Sequence, residues 1–135
     1  MPTFISFSPI FWRGLPLFIW MGVIFFFSSL PGSERQYQMT LSYFMERKGA
    51  HVIEYAILML LMVRFSTAVF PRETFKKILF LAAVFSITYG ATDELHQFFV
   101  PYRGAKISDV LIDGLGTFLM GAFLWFIMAM RRRNK

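Results

Sequence analysis

The chain has no cysteine in its 135 residues, so it has neither a disulfide framework nor thiolate chemistry. Charge is also scarce. Only 16% of residues are Asp, Glu, Lys or Arg, against about 25% in an ordinary soluble domain. A small globule has proportionally more surface to wet, so this shortage excludes a soluble enzyme and a disordered tail alike. The long apolar stretches lack the strict alternation of apolar and polar residues that a transmembrane β-barrel needs.

What the chain has in abundance is apolar bulk. Hydrophobic residues make up 56%, aromatics 19%, and Phe alone fills 18 positions; the mean hydropathy is +0.54. The solvent implied is a bilayer. At about 20 residues per span, one domain over 1–135 holds four helices, expected near 14–30, 48–70, 75–100 and 108–130, with Ser108 as the N-cap of the last. The fold class expected is an all-α, polytopic bundle of four transmembrane helices. Ser28-Ser29 after an apolar core also fits a cleaved leader, but the only basic residue ahead of it is Arg13. We therefore read the first run as a retained helix.

Charge sorts by side. Arg13, Arg64, Arg72, Lys76, Lys77, Arg131, Arg132, Arg133 and Lys135 fall with the termini and the middle loop, together with Glu73. Arg35, Arg47, Lys48, Arg103 and Lys106 fall on the other side, with Glu34, Glu46, Glu54, Asp93, Glu94, Asp109 and Asp113. Nine bases and one acid give +8; five bases and seven acids give −2. By the positive-inside rule both termini are expected in the cytoplasm. The basic C-terminus then reads as a topology signal and a contact for anionic lipid, not as a nucleic-acid site.

The remaining polar residues recur at helical spacing toward one end. Lys48, His51 and Tyr55 share a face of the second helix, with Glu54 beside them. Tyr89, Asp93, His96 and Gln97 form a stripe on the third, and Asp109, Asp113 and Gly116 on the fourth. Glu46, Arg47 and Glu94 read as solvated charges at headgroup level. An Asp, Lys or Arg at mid-membrane costs about 2.5–3.5 kcal/mol on insertion scales, so such groups are expected near an end and paired. The expectation is a polar pocket open to the outer leaflet, lined by helices two, three and four, with Arg103 in the joining loop. Either histidine alone fits an interhelical hydrogen bond; the coincidence of three stripes points to function. Gly114, Thr117 and Gly121, and Ala82, Ser86 and Gly90, are expected to be close-packing strips.

The residues Lys48-Gly-Ala-His-Val-Ile-Glu-Tyr55, Tyr89-Gly-Ala-Thr-Asp-Glu-Leu-His-Gln-Phe-Phe-Val-Pro-Tyr-Arg103, and Ser108-Asp109 with Asp113 and Gly116 closely resemble the VanZ-like family of small bacterial membrane proteins. Ser28-Ser29 resembles it too, and members carry Asn or Asp at the position of Asp113. The resemblance implies a cell-envelope protein. The family is named for an accessory protein that raises resistance to teicoplanin, a lipoglycopeptide acting at the outer membrane face.

Three functions fit the pocket. In the first it binds a membrane lipid, a lipid-linked cell-wall precursor or a lipoglycopeptide. Lys48 and Arg103 would hold phosphate or carboxylate, with Glu54, Tyr55, Tyr89, Gln97, Asp109 and Asp113 as further binding residues. In the second it is an intramembrane enzyme on a lipid-linked substrate. His51 or His96 would be acid–base, oriented by Asp93 or Asp109, with Arg103 stabilising developing charge. A metal variant would ligate zinc through His51, Glu54, Asp93 and His96. No cofactor is assigned beyond that. The third, a proton-coupled carrier, requires a homo-oligomer, because four helices are few for transport.

Overall fold

A computed structural model describes residues 9–32 and 41–134, leaving aside the side chains of 41–44 and 46. Glu34, Arg35, the Glu46 side chain and Lys135 lie outside the described residues. Four helices follow in order: α1 (Pro9–Ser29), α2 (Leu41–Val69), α3 (Phe75–Gln97) and α4 (Ile107–Arg133). No strand occurs among the described residues, and each helix is long and apolar enough to cross a membrane.

The helix boundaries have local causes. Pro9 opens α1, where a missing N–H costs nothing; Pro16 lies within it, a kind of interruption that membrane helices tolerate. α2 begins at Leu41, earlier than Lys48, because the turn ahead of the apolar run is already helical. The Thr74 hydroxyl caps α3 by accepting from the Lys77 N–H at 3.4 Å. α3 stops at Gln97, short of residue 100, and tight turns carry the chain to Pro101.

α4 corrects an expectation. Its cap position is Lys106, not Ser108, and the Lys106 side chain makes no cap hydrogen bond. Ser108 instead donates to Asp109 Oδ1 at 3.1 Å. The carboxylate at this helix start comes from α3: Glu94 Oε2 accepts from the Lys106 N–H at 2.8 Å. Asp109 in the first turn adds a second acid at the positive end of the helix dipole.

α2 is the hub. It packs on all three other helices, while α1 and α4 make no contact among the described residues. Leu17, Ile24, Tyr55 and Leu58 form one core cluster between α1 and α2. Met59, Val63, Ile78 and Ala82 form another where α2 meets α3. The outward faces carry Phe18, Phe26, Phe80, Phe118 and Phe126, all exposed, as a chain solvated by lipid requires.

Of the expected small strips, Ala82, Ser86 and Gly90 are buried on α3. On α4, Thr117 is buried as expected, but the two glycines of that strip do not make the close contact. A Cβ on Gly114 would meet open space, and one on Gly121 only the mobile tip of Met59. The close approach is at Gly116, where a Cβ would overlap the Val52 carbonyl oxygen and touch its Cα at 3.0 Å. That glycine lets α4 lie directly against α2.

Candidate functional site

Antiparallel connection brings the end of α1, the start of α2, the end of α3 and the start of α4 to one end of the bundle. A cleft of about 460 Å³ opens there. One wall is mainly apolar, with Ile24, Phe27, Ser28 and Leu30 from α1 and its exit. The other is polar: Arg47, Ala50, His51 and Glu54 from α2, Asp93 and Gln97 from α3, and Arg103 from the loop.

The expected pocket between helices two, three and four is therefore corrected: α1 supplies a wall and α4 supplies none. Contact through Gly116 brings α4 directly against the Val52 backbone of α2. The α4 acids instead stand behind the α2 residues. Lys48 Nζ pairs with Asp109 Oδ1. His51 Nδ1 lies 2.9 Å from Asp113 Oδ1. Asp109 and Asp113 are only 2% and 1% exposed, and burial this deep is tolerable for a carboxylate because it is paired. The acid beside His51 is thus Asp113, not Asp93 or Asp109.

A second chain of bonds runs along the cleft floor. Gln97 Nε2 donates to Asp93 Oδ2 at 2.9 Å, and Arg103 Nη1 donates to Gln97 Oε1 at 3.2 Å. Arg103 Nη2 also donates to the Phe27 carbonyl at 2.9 Å, and the Gly32 N–H to the Pro101 carbonyl at 3.1 Å. These bonds tie the loop to the end of α1. Tyr102, with φ of 57°, occupies the left-handed region; such a residue costs about 1–2 kcal/mol. The sharp reversal there directs Arg103 back toward the cleft. Trp20 closes the α1–α2 seam by donating its indole N–H to the Glu54 carbonyl at 3.0 Å.

The α3 stripe divides between two faces. Tyr89 donates to the Met21 carbonyl at 2.7 Å. His96 stacks on Phe25, with ring centroids 4.6 Å apart, and its Nε2 lies 3.0 Å from Ser29 Oγ. Both residues belong to the α1 seam and neither lines the cleft. Positions 89, 93, 96 and 97 span about 100° of helical arc, wide enough to serve two neighbours. Tyr55 is wholly buried in the α1–α2 core. Of the expected site residues, His51, Glu54, Asp93, Gln97 and Arg103 come together in the cleft. Lys48, Asp109 and Asp113 back it, while Tyr55, Tyr89 and His96 pack elsewhere.

The zinc set is not assembled. Among the described residues no group of three or more His, Asp or Glu is arranged to hold a metal ion, and His96 is turned to α1.

At two residues the structure differs from the sequence expectation of a solvated charge. Arg47 lines the cleft; the spacing Arg47, Ala50, His51, Glu54 is i, i+3, i+4, i+7, which puts it on that face. Glu94 is buried against the start of α4. Its place on the Ser86, Gly90, Asp93, Gln97 side of α3 marks it as inward-facing.

Fold and cleft together define a four-helix membrane protein with a polar site at one end. A profile of the VanZ/LLP1 family matches residues 14–129, nearly all of the helical bundle, and the chain belongs to that family. Comparison with curated proteins and with solved structures returns no match.

Proposed function

We propose that this protein sits in the bacterial cytoplasmic membrane with both termini in the cytoplasm. Its cleft then opens to the outer leaflet and takes the headgroup of a membrane amphiphile, a lipid-linked cell-wall precursor or the lipid-bearing part of a lipoglycopeptide. The carrying observation is the mixed lining: the apolar Ile24, Phe27 and Leu30 share one cavity with Arg47, His51 and Arg103. A soluble polar ligand has no use for the first set, and an acyl chain has none for the second. An amphiphile uses both. The test is lipid retention. Wild type purified in mild detergent should carry one amphiphile class above its abundance in the membrane, and Arg103→Gln should lose it. Teicoplanin susceptibility of expressing cells tests the cell-envelope role: wild type should raise tolerance and Arg103→Gln should not. Equal lipid profiles for the two proteins overturn the proposal.

A second reading is favoured by one observation, the buried His51–Asp113 contact at 2.9 Å. A carboxylate on Nδ1 fixes the tautomer that leaves Nε2 able to accept a proton, as in acid–base catalysis. In an enzyme, His51→Ala abolishes turnover of a lipid-linked substrate while lipid retention persists. In a binding protein, His51→Ala weakens retention and no turnover is found in wild type.

A further inference from the structure

The end of the bundle away from the cleft, formed by the α2–α3 turn and the last turn of α4, carries more cations than it can pair. Arg72, Lys76, Arg131, Arg132 and Arg133 are exposed there. Glu73 is the one side-chain carboxylate at that end among the described residues, and Lys77 already holds it at 2.7 Å. One of these cations is fixed in place. Lys76 Nζ lies over the Trp125 ring, 5.5 Å from its centroid, so a side chain of α3 and one of α4 meet across the seam between the two helices. The ring takes one side of the ammonium and leaves N–H donors for another group.

The surface on either side of that point is ordered from charged to apolar. On α4, Phe118, Ala122, Trp125, Ala129 and Arg132 are all exposed and fall within about 80° of helical arc. Arg132 stands about 10 Å beyond Trp125 toward the helix end, a gap that its side chain and a phosphodiester span together. In the other direction come Ala122 and then Phe118, while Phe80 lies one turn past Lys76 on α3; both phenylalanines are exposed. Cation, indole and phenyl thus follow one another into the bilayer, in the order of a lipid's headgroup, ester and chain.

Charge complementarity selects the headgroup. A zwitterionic headgroup brings its own cation to a surface with no carboxylate to spare, and an anionic one does not. We propose that the α3–α4 seam at this end holds one anionic phospholipid, with its phosphate between Lys76 and Arg132, its ester region on Trp125 and a chain along Phe80 and Phe118. The site is at the opposite end from the cleft and does not depend on it.

The test reads Trp125 directly. Replacing Trp12 and Trp20 with Phe leaves it as the only tryptophan in the full chain. The protein is placed in phosphatidylcholine vesicles with phosphatidylglycerol of the same chain length as the minor lipid, and one lipid or the other carries bromine, a short-range quencher, on its chains. Phosphatidylglycerol should be enriched about fourfold beside Trp125 over its share of the vesicle. Lys76→Gln and Arg132→Gln should each bring that enrichment below about twofold. Arg131→Gln removes the same charge from the other side of that turn and should leave it intact. No enrichment in the parent protein overturns the proposal. Equal losses in all three variants trace the enrichment to net charge and overturn the seam site. Displacement of the lipid by soluble glycerol phosphate gives the patch to a free phosphate and overturns the lipid. Native mass spectrometry of the chain with all its tryptophans checks the result without the Phe replacements: a preference for phosphatidylglycerol should be lost with Lys76→Gln and survive Arg103→Gln. Loss with Arg103→Gln alone places the lipid in the cleft and overturns the second site.

Discussion

The two ends of the bundle use charge differently. At the end bearing the α2–α3 turn and the C-terminus of α4, charged side chains reach outward. Lys77 pairs with Glu73 one helical turn away, with the two side chains 55% and 36% exposed. Lys76 lies over the Trp125 ring, and Arg131, Arg132 and Arg133 close α4 in the open. At the other end Asp93, Glu94, Asp109 and Asp113 are all buried, each in contact with a group from another helix or from its own next turn. Charges of the first kind stay exposed and cost little. Those of the second kind are expensive in a membrane and call for partners.

The contrast can be broken most severely at the buried pair. His51→Ala strands the Asp113 carboxylate between α2 and α4. Leaving a buried carboxylate without its partner costs about 3–5 kcal/mol. Unfolding in detergent should show a loss of that size, and Asp113→Ala should lose a similar amount. The double variant should fall well short of the sum, and additive losses break the pairing.

Next comes the helix contact that seals α4 against α2. Gly116→Ala forces the Val52 backbone to move, and overpacking of this kind costs about 1–3 kcal/mol. Gly114→Ala, two residues away, projects into open space. It should be neutral or stabilise by up to about 1 kcal/mol through helix propensity. If the two alanine variants melt alike, the close approach at Gly116 is wrong.

The smallest effect belongs to the exposed end. Lys77→Ala should change stability by about 0.5 kcal/mol or less, because an exposed pair four residues apart is worth no more. The same test applied to Lys48→Ala, whose partner Asp109 is buried, should cost several times as much. Equal losses at Lys48 and Lys77 would erase the distinction between the ends.

The sequence carries these features unevenly. Four helices follow from long, mainly apolar runs separated by Pro31, Pro71 and Pro101, since without a barrel's alternation only a helix satisfies the backbone groups over such lengths in lipid. The clustering of polar residues at one end follows from counting turns along those runs. Which neighbour each stripe meets does not follow. Tyr89 and Asp93 sit four residues apart, yet one bonds α1 and the other lines the cleft. The choice depends on where α1 lies, and its weakly patterned apolar run does not say. Assigning a cleft wall to α4 fails for a related reason. Asp109 and Asp113 look the same from sequence whether they face a cavity or a neighbouring helix. Only the overlap at Gly116 decides between them, and a glycine in a helix does not name its contact. Arg47 is legible in the sequence: its i, i+4, i+7 relation to His51 and Glu54 puts it on the cleft face even though it stands in the first turn of the apolar run.

The most direct test of the central claim, that the polar end holds a headgroup site, is photocross-linking in native membranes. A photoreactive residue is placed at Ala50, on the cleft wall, or at Leu111, which is 70% exposed on the outer face of α4. The adducts are then identified by mass. The account predicts that Ala50 captures predominantly one headgroup class, lost with Arg103→Gln, while Leu111 captures lipids in proportion to the bulk membrane. Adducts of the same composition at both positions would contradict it.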